Sequence, residues 1–370
     1  MLRRVVIKGF RSIREIDLAL RPLNVLIGAN GAGKSNIVSF FKMLNEMMAG
    51  RLQTYISTTG RAQSLLHFGP KVTPQMEGRL EFEVDNGTDT YSMRLFYAAG
   101  DTLIFADETL SFLQTGYTKP KVVPLGAGHA ETKISQETEK GEPTAKVAKV
   151  FRHLLNHCRV YHFHDTSPTA RARQYCYIGD SRWLMPDAGN LAAFLLRLRE
   201  ENGGKVYQRI VATIRLIAPF FEDFDLVPAG PNKTEVILNW RDKGSDQVFG
   251  PHQLSDGTLR AACLVTLLMQ AEDELPDLII VDEPELGLHP YALNVVAALF
   301  KKASHYTQVL ISTQSSSFLD SFDPEDVVIV NREGQESQLA RPDADKLEAW
   351  LAEYSLGEVW EKNVIGGGPH

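Results

Sequence analysis

Gly28-Ala29-Asn30-Gly31-Ala32-Gly33-Lys34-Ser35 decides how this chain folds. Two glycines, a lysine and a hydroxyl residue at this spacing make a loop whose backbone N–H groups can wrap phosphates. Lys34 would reach the terminal phosphates, and Ser35 would coordinate Mg2+. Gly31 and Gly33 let the backbone approach closely and adopt conformations closed to other residues. Upstream, Leu23-Asn24-Val25-Leu26-Ile27 reads as an apolar strand; downstream, Asn36 to Met48 carries helical apolar spacing. Strand, glycine loop and helix stand in the order a phosphate-binding loop requires. That order makes the alternative, a glycine turn without a ligand, the weaker reading.

A second segment complements the first. Leu278-Ile279-Ile280-Val281 is an apolar strand ending in Asp282 and Glu283. Two carboxylates there are costly unless a cation or a water network meets them. Paired with the phosphate loop, Asp282 would hold Mg2+ through water and Glu283 would polarise a water attacking a phosphoryl group. Around this strand the last third alternates regularly. A helix is expected from Thr258 to Glu272, strands at 277–281, 308–312 and 327–330, and a helix starting at Pro290, a residue suited to the first helical position. Such a succession implies a largely parallel sheet with its ligand at the carboxyl ends of the strands.

The remaining chain divides more loosely. Strands are expected at 5–10 and 15–20, and an antiparallel meander from Gly78 to Phe112, broken at Asp85-Asn86-Gly87 and Ala99-Gly100-Asp101. Residues 114–145 read as an exposed connection. Helical patterns span 145–158 and 190–221 around a polar segment at 162–182, and 235–240 with 247–249 resembles a hairpin.

Composition bounds the function. The 370 residues are 44% hydrophobic and 23% charged, enough for a large core and without a disorder signature. A net charge of -7 argues against a generally basic nucleic-acid coat. Two local basic groups remain: Arg159, Arg171, Arg173 and Arg182, and Arg3, Arg4, Lys8, Arg11 and Arg14. Either could touch DNA phosphates, although solvated surface is the commoner fate of such clusters. Cys158, Cys176 and Cys263 lack CxxC spacing and fit core positions in a reducing cytosol. The start lacks a signal peptide and no run reaches the ~18 apolar residues that span a bilayer, so a cytoplasmic protein without a membrane partner is expected. His153 and His157 would share a helix face, as would suit zinc. With His162-Phe163-His164-Asp165 downstream, no matched carboxylate–histidine signature completes the set, so polar lining is expected instead.

Four strings carry a family resemblance: Gly9-Phe10-Arg11-Ser12, Gly33-Lys34-Ser35-Asn36, Leu254-Ser255-Asp256-Gly257-Thr258, and Asp282-Glu283-Pro284-Glu285-Leu286-Gly287-Leu288-His289-Pro290. Together they make the chain resemble the ABC-type ATPase heads of the SMC, RecF and OLD group, especially the compact stand-alone AAA-family ATPases. The resemblance implies an α/β P-loop NTPase: a mixed sheet flanked by helices, an antiparallel β subdomain and an inserted, mainly helical lobe. It divides the chain into an N-terminal ATPase lobe (1–112), an inserted linker and lobe (113–233) and a C-terminal ATPase lobe (234–370). ATP and Mg2+ are the implied cofactors, and Lys34, Glu283 and Gln314 the implied catalytic set. Asn30 through Asn36 would cradle the nucleotide, with Arg11 and Ser12 near the α-phosphate or base. Ser255 and Gly257 would open a helix whose amino end faces the γ-phosphate held by a second copy. Two ATP molecules would then lie within a head-to-tail homodimer, with Glu285 to His289 crossing the interface. A plain helix N-cap is the simpler reading of Ser255.

The chain departs from the family pattern twice. Relatives carry a histidine at the switch position where this chain has Gln314, which can hydrogen-bond phosphate and water but cannot carry positive charge. Slow or partner-stimulated hydrolysis is therefore expected. Asp256 replaces a glycine, tolerable beside phosphate only if its carboxylate points away. For the family's Q-loop glutamine, Gln63 and Gln174 are the candidates. About 220 residues separate Ser35 from Ser255 without sustained heptads, which favours a RecF-like lobe over SMC coiled coils. The nuclease domain of OLD proteins is not expected. Three roles follow: an ATPase in DNA repair or genome maintenance, an ATP-gated switch controlling a separately encoded effector such as an anti-phage toxin or nuclease, and an ATP-binding scaffold with little hydrolysis.

Overall fold

Leu23–Ile27 is buried along its whole length, and its alternate side chains enter two different cores. Leu23, Val25 and Ile27 join one and Leu26 the other, and the neighbouring strands repeat the parity: Ile279 and Val281 against Ile280, Val309 and Ile311 against Leu310. A strand apolar on both faces must be covered on both, which is why these segments read as continuous apolar runs rather than alternating ones. Each such side chain contributes about 1.5–3 kcal/mol on burial.

In the computed structural model, which describes residues 1–141 and 144–368, these strands form a six-stranded sheet. Its order is Glu336–Ala340, Val327–Glu333, Leu23–Ile27, Gln308–Thr313, Leu278–Asp282, Cys158–Tyr161. All pairings are parallel except that of Glu336–Ala340 with Val327–Glu333. The carboxyl ends of four parallel strands therefore lie along one edge, carrying the glycine loop, Glu283, Gln314 and the segment starting at His162. A second, antiparallel sheet of six strands packs across the Lys34–Met48 helix: Ile13–Ala19, Leu2–Phe10, Gln75–Val84, Gly87–Ala98, Thr102–Gln114 and Lys121–Gly126. The fold is thus a P-loop α/β head with a mixed sheet and an antiparallel β subdomain. Its region 144–249 adds helices at Thr144–Asn156, Leu191–Glu200 and Lys205–Ile217 with two small sheets.

Several expectations need correction. The meander acquires a fourth strand, Lys121–Gly126, from the stretch read as exposed connection; residues 142 and 143 of that stretch lie outside the described residues. The helical pattern at 145–158 ends at Asn156, and Cys158–Tyr161 forms the edge strand of the parallel sheet. The expected helix 190–221 is two helices, because Asn202 and Gly203 take left-handed φ of 49° and 67° between them; Gly203 makes that break inexpensive. The hairpin at 235–249 is split. Glu235–Val236 pairs with Cys176–Tyr177, while Asn239–Asp242 lies between Phe221–Asp225 and Val248–Phe249. Among the described residues no helix is long and apolar enough to cross a membrane.

Candidate nucleotide site

The glycine loop leaves Ile27 and turns into the Lys34–Met48 helix with Gly31 at φ +78° and Gly33 at +113°. A methyl group on Gly33 would collide with the Ser337 and Ser12 hydroxyls, and one on Gly28 with the Val330 carbonyl, so close packing demands glycine at both positions. Asn30, Gly31 and Ser35 face solvent, Ala32 is buried, and Lys34 is only 5% exposed. The Lys34 ammonium turns back into the loop and donates to the Gly28 and Ala29 carbonyls at 2.6 and 3.2 Å. Its burial lowers its pKa, while the nearby Glu283, Asp282 and Glu285 carboxylates oppose that shift. The loop lysine thus lies close enough to the acids from the far end of the sequence to feel their charge.

The acids are set by the parallel ladder. Asp282, the last residue of its strand, accepts a short hydrogen bond from the Ser312 hydroxyl of the neighbouring strand. Glu283 continues the ladder by one bond, its N–H donating to the Ser312 carbonyl at 2.8 Å, and then leaves it with φ of 44°. A left-handed non-glycine residue costs on the order of 1 kcal/mol and is held here by its surroundings. Its partly exposed side chain is turned off the strand. Gln314 follows the next strand, half-buried, with its N–H donated to Glu285 Oε1 at 3.1 Å.

Arg11 and Ser12 reach the loop helix from the first hairpin. Ser12 accepts from Asn36 Nδ2 at 2.6 Å and bonds Ser337 at 2.6 Å; Arg11, at φ 51°, donates to Ser39 at 3.1 Å. Ser255 caps the Asp256–Leu268 helix, its hydroxyl accepting from Thr258 N at 3.2 Å, and stands exposed. Gly257 leaves no room for a methyl group against the Gly287 carbonyl, so the signature helix is seated on the Pro284–His289 loop of its own chain. The Asp256 carboxylate does not merely face outward as expected, because Arg173 holds it at 2.7 Å.

Four residues that sequence reasoning missed or misread complete the site. Arg173, read as part of a basic patch, is 3% exposed and donates to the Thr166, Pro251 and Leu254 carbonyls, so it fastens the signature loop and is not a surface cation. Arg260, also buried, ties the same helix to the carbonyls of Phe163, His164 and Leu286. Ser337 donates to the Ala32 carbonyl at 2.7 Å and buttresses the glycine loop. Glu285, expected near an interface, is buried within its own chain, with Oε1 accepting from Thr313 Oγ1 at 2.6 Å and Oε2 lacking a hydrogen-bond partner. Glu285 and Arg260 lie in or beside the quoted strings and Arg173 and Ser337 far from them, but the partners of all four are distant in sequence; an arginine inside an otherwise apolar helix, such as Arg260, is the available signal. Of the Q-loop candidates, Gln174 donates to the Pro168 carbonyl and Gln63 N–H to Asp101.

The other expected surface cations are largely neutralised. Arg4 pairs with Asp17, Lys8 with Glu15, Arg14 with Glu336 and Arg171 with Asp187. Arg159 and Arg182 lie over the Trp183 ring.

Burial raises the Glu285 carboxyl above the usual range, and the Glu283 charge adds to this. The native protein therefore holds this proton more tightly than the unfolded chain does. Its contribution is complete below the unfolded pKa and lost as pH rises through the folded one. Glu285→Gln is expected to melt like the parent near pH 4 and to gain on it steadily toward pH 8 in circular-dichroism melts; a parent that gains on the variant instead contradicts this. Glu285→Ala, which strips the acceptor from Thr313 and Gln314, should cost ~2 kcal/mol.

Two family profiles match the chain: "AAA ATPase domain" over residues 1–77 and "AAA domain, putative AbiEii toxin, Type IV TA system" over residues 159–320. The Old nuclease of Escherichia phage P2 is 23% identical over 94% of this chain and 62% of its own length. The DNA replication and repair protein RecF of Edwardsiella ictaluri is 47% identical over 51 residues, 14% of each protein. The chain therefore spans less than two thirds of either relative. Among solved structures, an SMC head bound to the C-terminal winged-helix domain of ScpA superposes with a TM-score of 0.61 at 15% identity, covering 94% of this chain and 99% of that one.

Proposed function

We propose that this chain, similar to ABC-type ATPases of the SMC/RecF/OLD group, is a Mg2+-dependent ATP-hydrolysing head that works as a head-to-tail pair with two ATP molecules between its copies. The observation that carries this reading is that the parallel ladder sets the ends of Leu23–Ile27, Gln308–Thr313 and Leu278–Asp282 side by side, which brings the glycine loop with Lys34 next to Asp282 and Glu283. The pocket fits a phosphate chain: the glycine cradle excludes side chains, and its buried ammonium has only loop carbonyls as partners. Asn30 to Asn36 would hold the phosphates, Ser35 and Asp282 the Mg2+, and Arg11 and Ser12 the neighbouring part of the nucleotide. The metal, when bound, neutralises charge on the phosphates.

Within the chain, Lys34 orients the terminal phosphate and Glu283 orients water and accepts its proton. Gln314, fixed through its backbone by Glu285, offers a neutral hydrogen bond where relatives carry histidine. The helix start at the exposed Ser255 and the half-buried Gly257 would meet a second copy's phosphate.

The names of the relatives, a repair protein and a nuclease, favour DNA as the partner. Phosphate release should be slow alone and rise several-fold with single-stranded or duplex DNA, the gain fading steeply with salt. Light scattering should show ATP-dependent pairing. Pairing without any DNA response favours a second reading, an ATP-gated switch for a separately encoded effector. The toxin–antitoxin description of the second profile and the pairing of Arg4, Lys8, Arg14, Arg171 and Arg173 with acids support that alternative. A chain that binds no ATP excludes both.

A further inference from the structure

At the opposite end of the strand that carries Asp282, three metal-ligating side chains meet. His153 sits in the last turn of the Thr144–Asn156 helix, and His157 prolongs that turn with its N–H donated to the His153 carbonyl at 3.0 Å. Four residues apart, the two imidazoles share one face, and their centroids are 4.0 Å apart. Asp277, the residue before Leu278–Asp282, supplies what the sequence lacked nearby. Its Oδ2 lies 3.8 Å from His153 Nε2 and its Oδ1 3.8 Å from His157 Nδ1. All three ligand atoms lie within 4.8 Å of one another.

These separations are too long for hydrogen bonds, and His157 Nδ1 is a buried nitrogen with no hydrogen-bond partner. The scaffold nevertheless fixes the groups together, because Leu278 N–H donates to the His157 carbonyl at 3.0 Å and begins the parallel pairing of the two strands. Three groups held face to face without bonding one another leave space for an ion: metal–nitrogen bonds of ~2.0–2.1 Å on each side bridge such gaps after small side-chain rotations.

We infer that His153, His157 and Asp277 form a transition-metal site for Zn2+ or a similar borderline ion, with water as fourth ligand. Two imidazoles and one carboxylate select that class over Mg2+, which prefers oxygen ligands. The site lies roughly 15 Å from Asp282, from the ~3.3 Å rise per strand residue. It is therefore separate from the nucleotide's own ion. Its effect is to clasp the helix that precedes Cys158–Tyr161 to the strand bearing the catalytic acids.

The test uses tag-free, chelator-stripped full chain titrated with Co2+, followed by visible absorption, and with Zn2+ by calorimetry. One ion per chain is expected to bind, with a melting temperature higher by a few degrees. His153→Gln and Asp277→Asn, both on exposed positions, should each weaken Zn2+ at least tenfold while nucleotide binding persists as evidence of folding. Absence of saturable binding by the parent protein, or affinity unchanged in both variants, overturns the inference.

Discussion

Glu283→Gln is expected to bind ATP, release almost no phosphate and accumulate as a dimer. The substitution keeps size and hydrogen-bonding capacity but removes the proton acceptor, so it isolates the chemical step from the binding steps. Glu283 is well placed for such a role. Its left-handed backbone turns the side chain out of the strand, whereas its neighbour Asp282 stays pinned by Ser312. Loss of a general base or water-orienting group typically costs 10²–10⁴-fold in rate. Removing one negative charge from the carboxylates around Lys34 also lessens repulsion toward the phosphates, which favours the paired state. Phosphate release and light scattering in the presence of Mg2+ and ATP measure both effects, and hydrolysis at the parent rate would sink the assignment.

Lys34→Ala should act earlier and abolish nucleotide binding. In the structure the ammonium is the donor for two loop carbonyls and feels the charge of three carboxylates. Without it the pocket presents oxygen atoms and negative charge to an anionic ligand. A weakening of at least ~100-fold in Kd, about 2.8 kcal/mol at 1.4 kcal/mol per tenfold, is expected in titrations with a fluorescent ATP analogue. The melting temperature serves as the control for folding. Nucleotide affinity within a factor of two of the parent would remove Lys34 from the site.

The parts of the fold legible in the sequence are those governed by local rules. The strand Leu23–Ile27 and the helix beginning at Pro290 have the expected bounds, because a full apolar run and a proline at the first helical position each specify their element without distant help. The breaks at Asp85-Asn86-Gly87 and Ala99-Gly100-Asp101 are equally visible, the turns falling at Asp85-Asn86 and at 99–101. Cys158–Tyr161 was not, since four residues at a sheet edge have no periodicity of their own and become a strand only through Leu278–Val281. The same holds within the site. The glycine loop and the paired acids announce themselves by spacing, whereas Glu285, Arg173, Arg260 and Ser337 matter through partners tens to hundreds of residues away. Asp277 shows it most plainly: it is 120 positions from His157 in number and beside it in space.

One more property follows from the seat that Gly257 makes on Gly287, reinforced by Arg260 on the Leu286 carbonyl. In a head-to-tail pair, the Ser255 end of a chain would serve one ATP and its Glu283 end the other. With the two ends tied together by these contacts, a chain that grips one nucleotide would also set its other jaw. Such a pair works like a strongbox with two keys: neither lock turns until both are filled, so occupancy would rise as a step with ATP concentration rather than as a gentle slope.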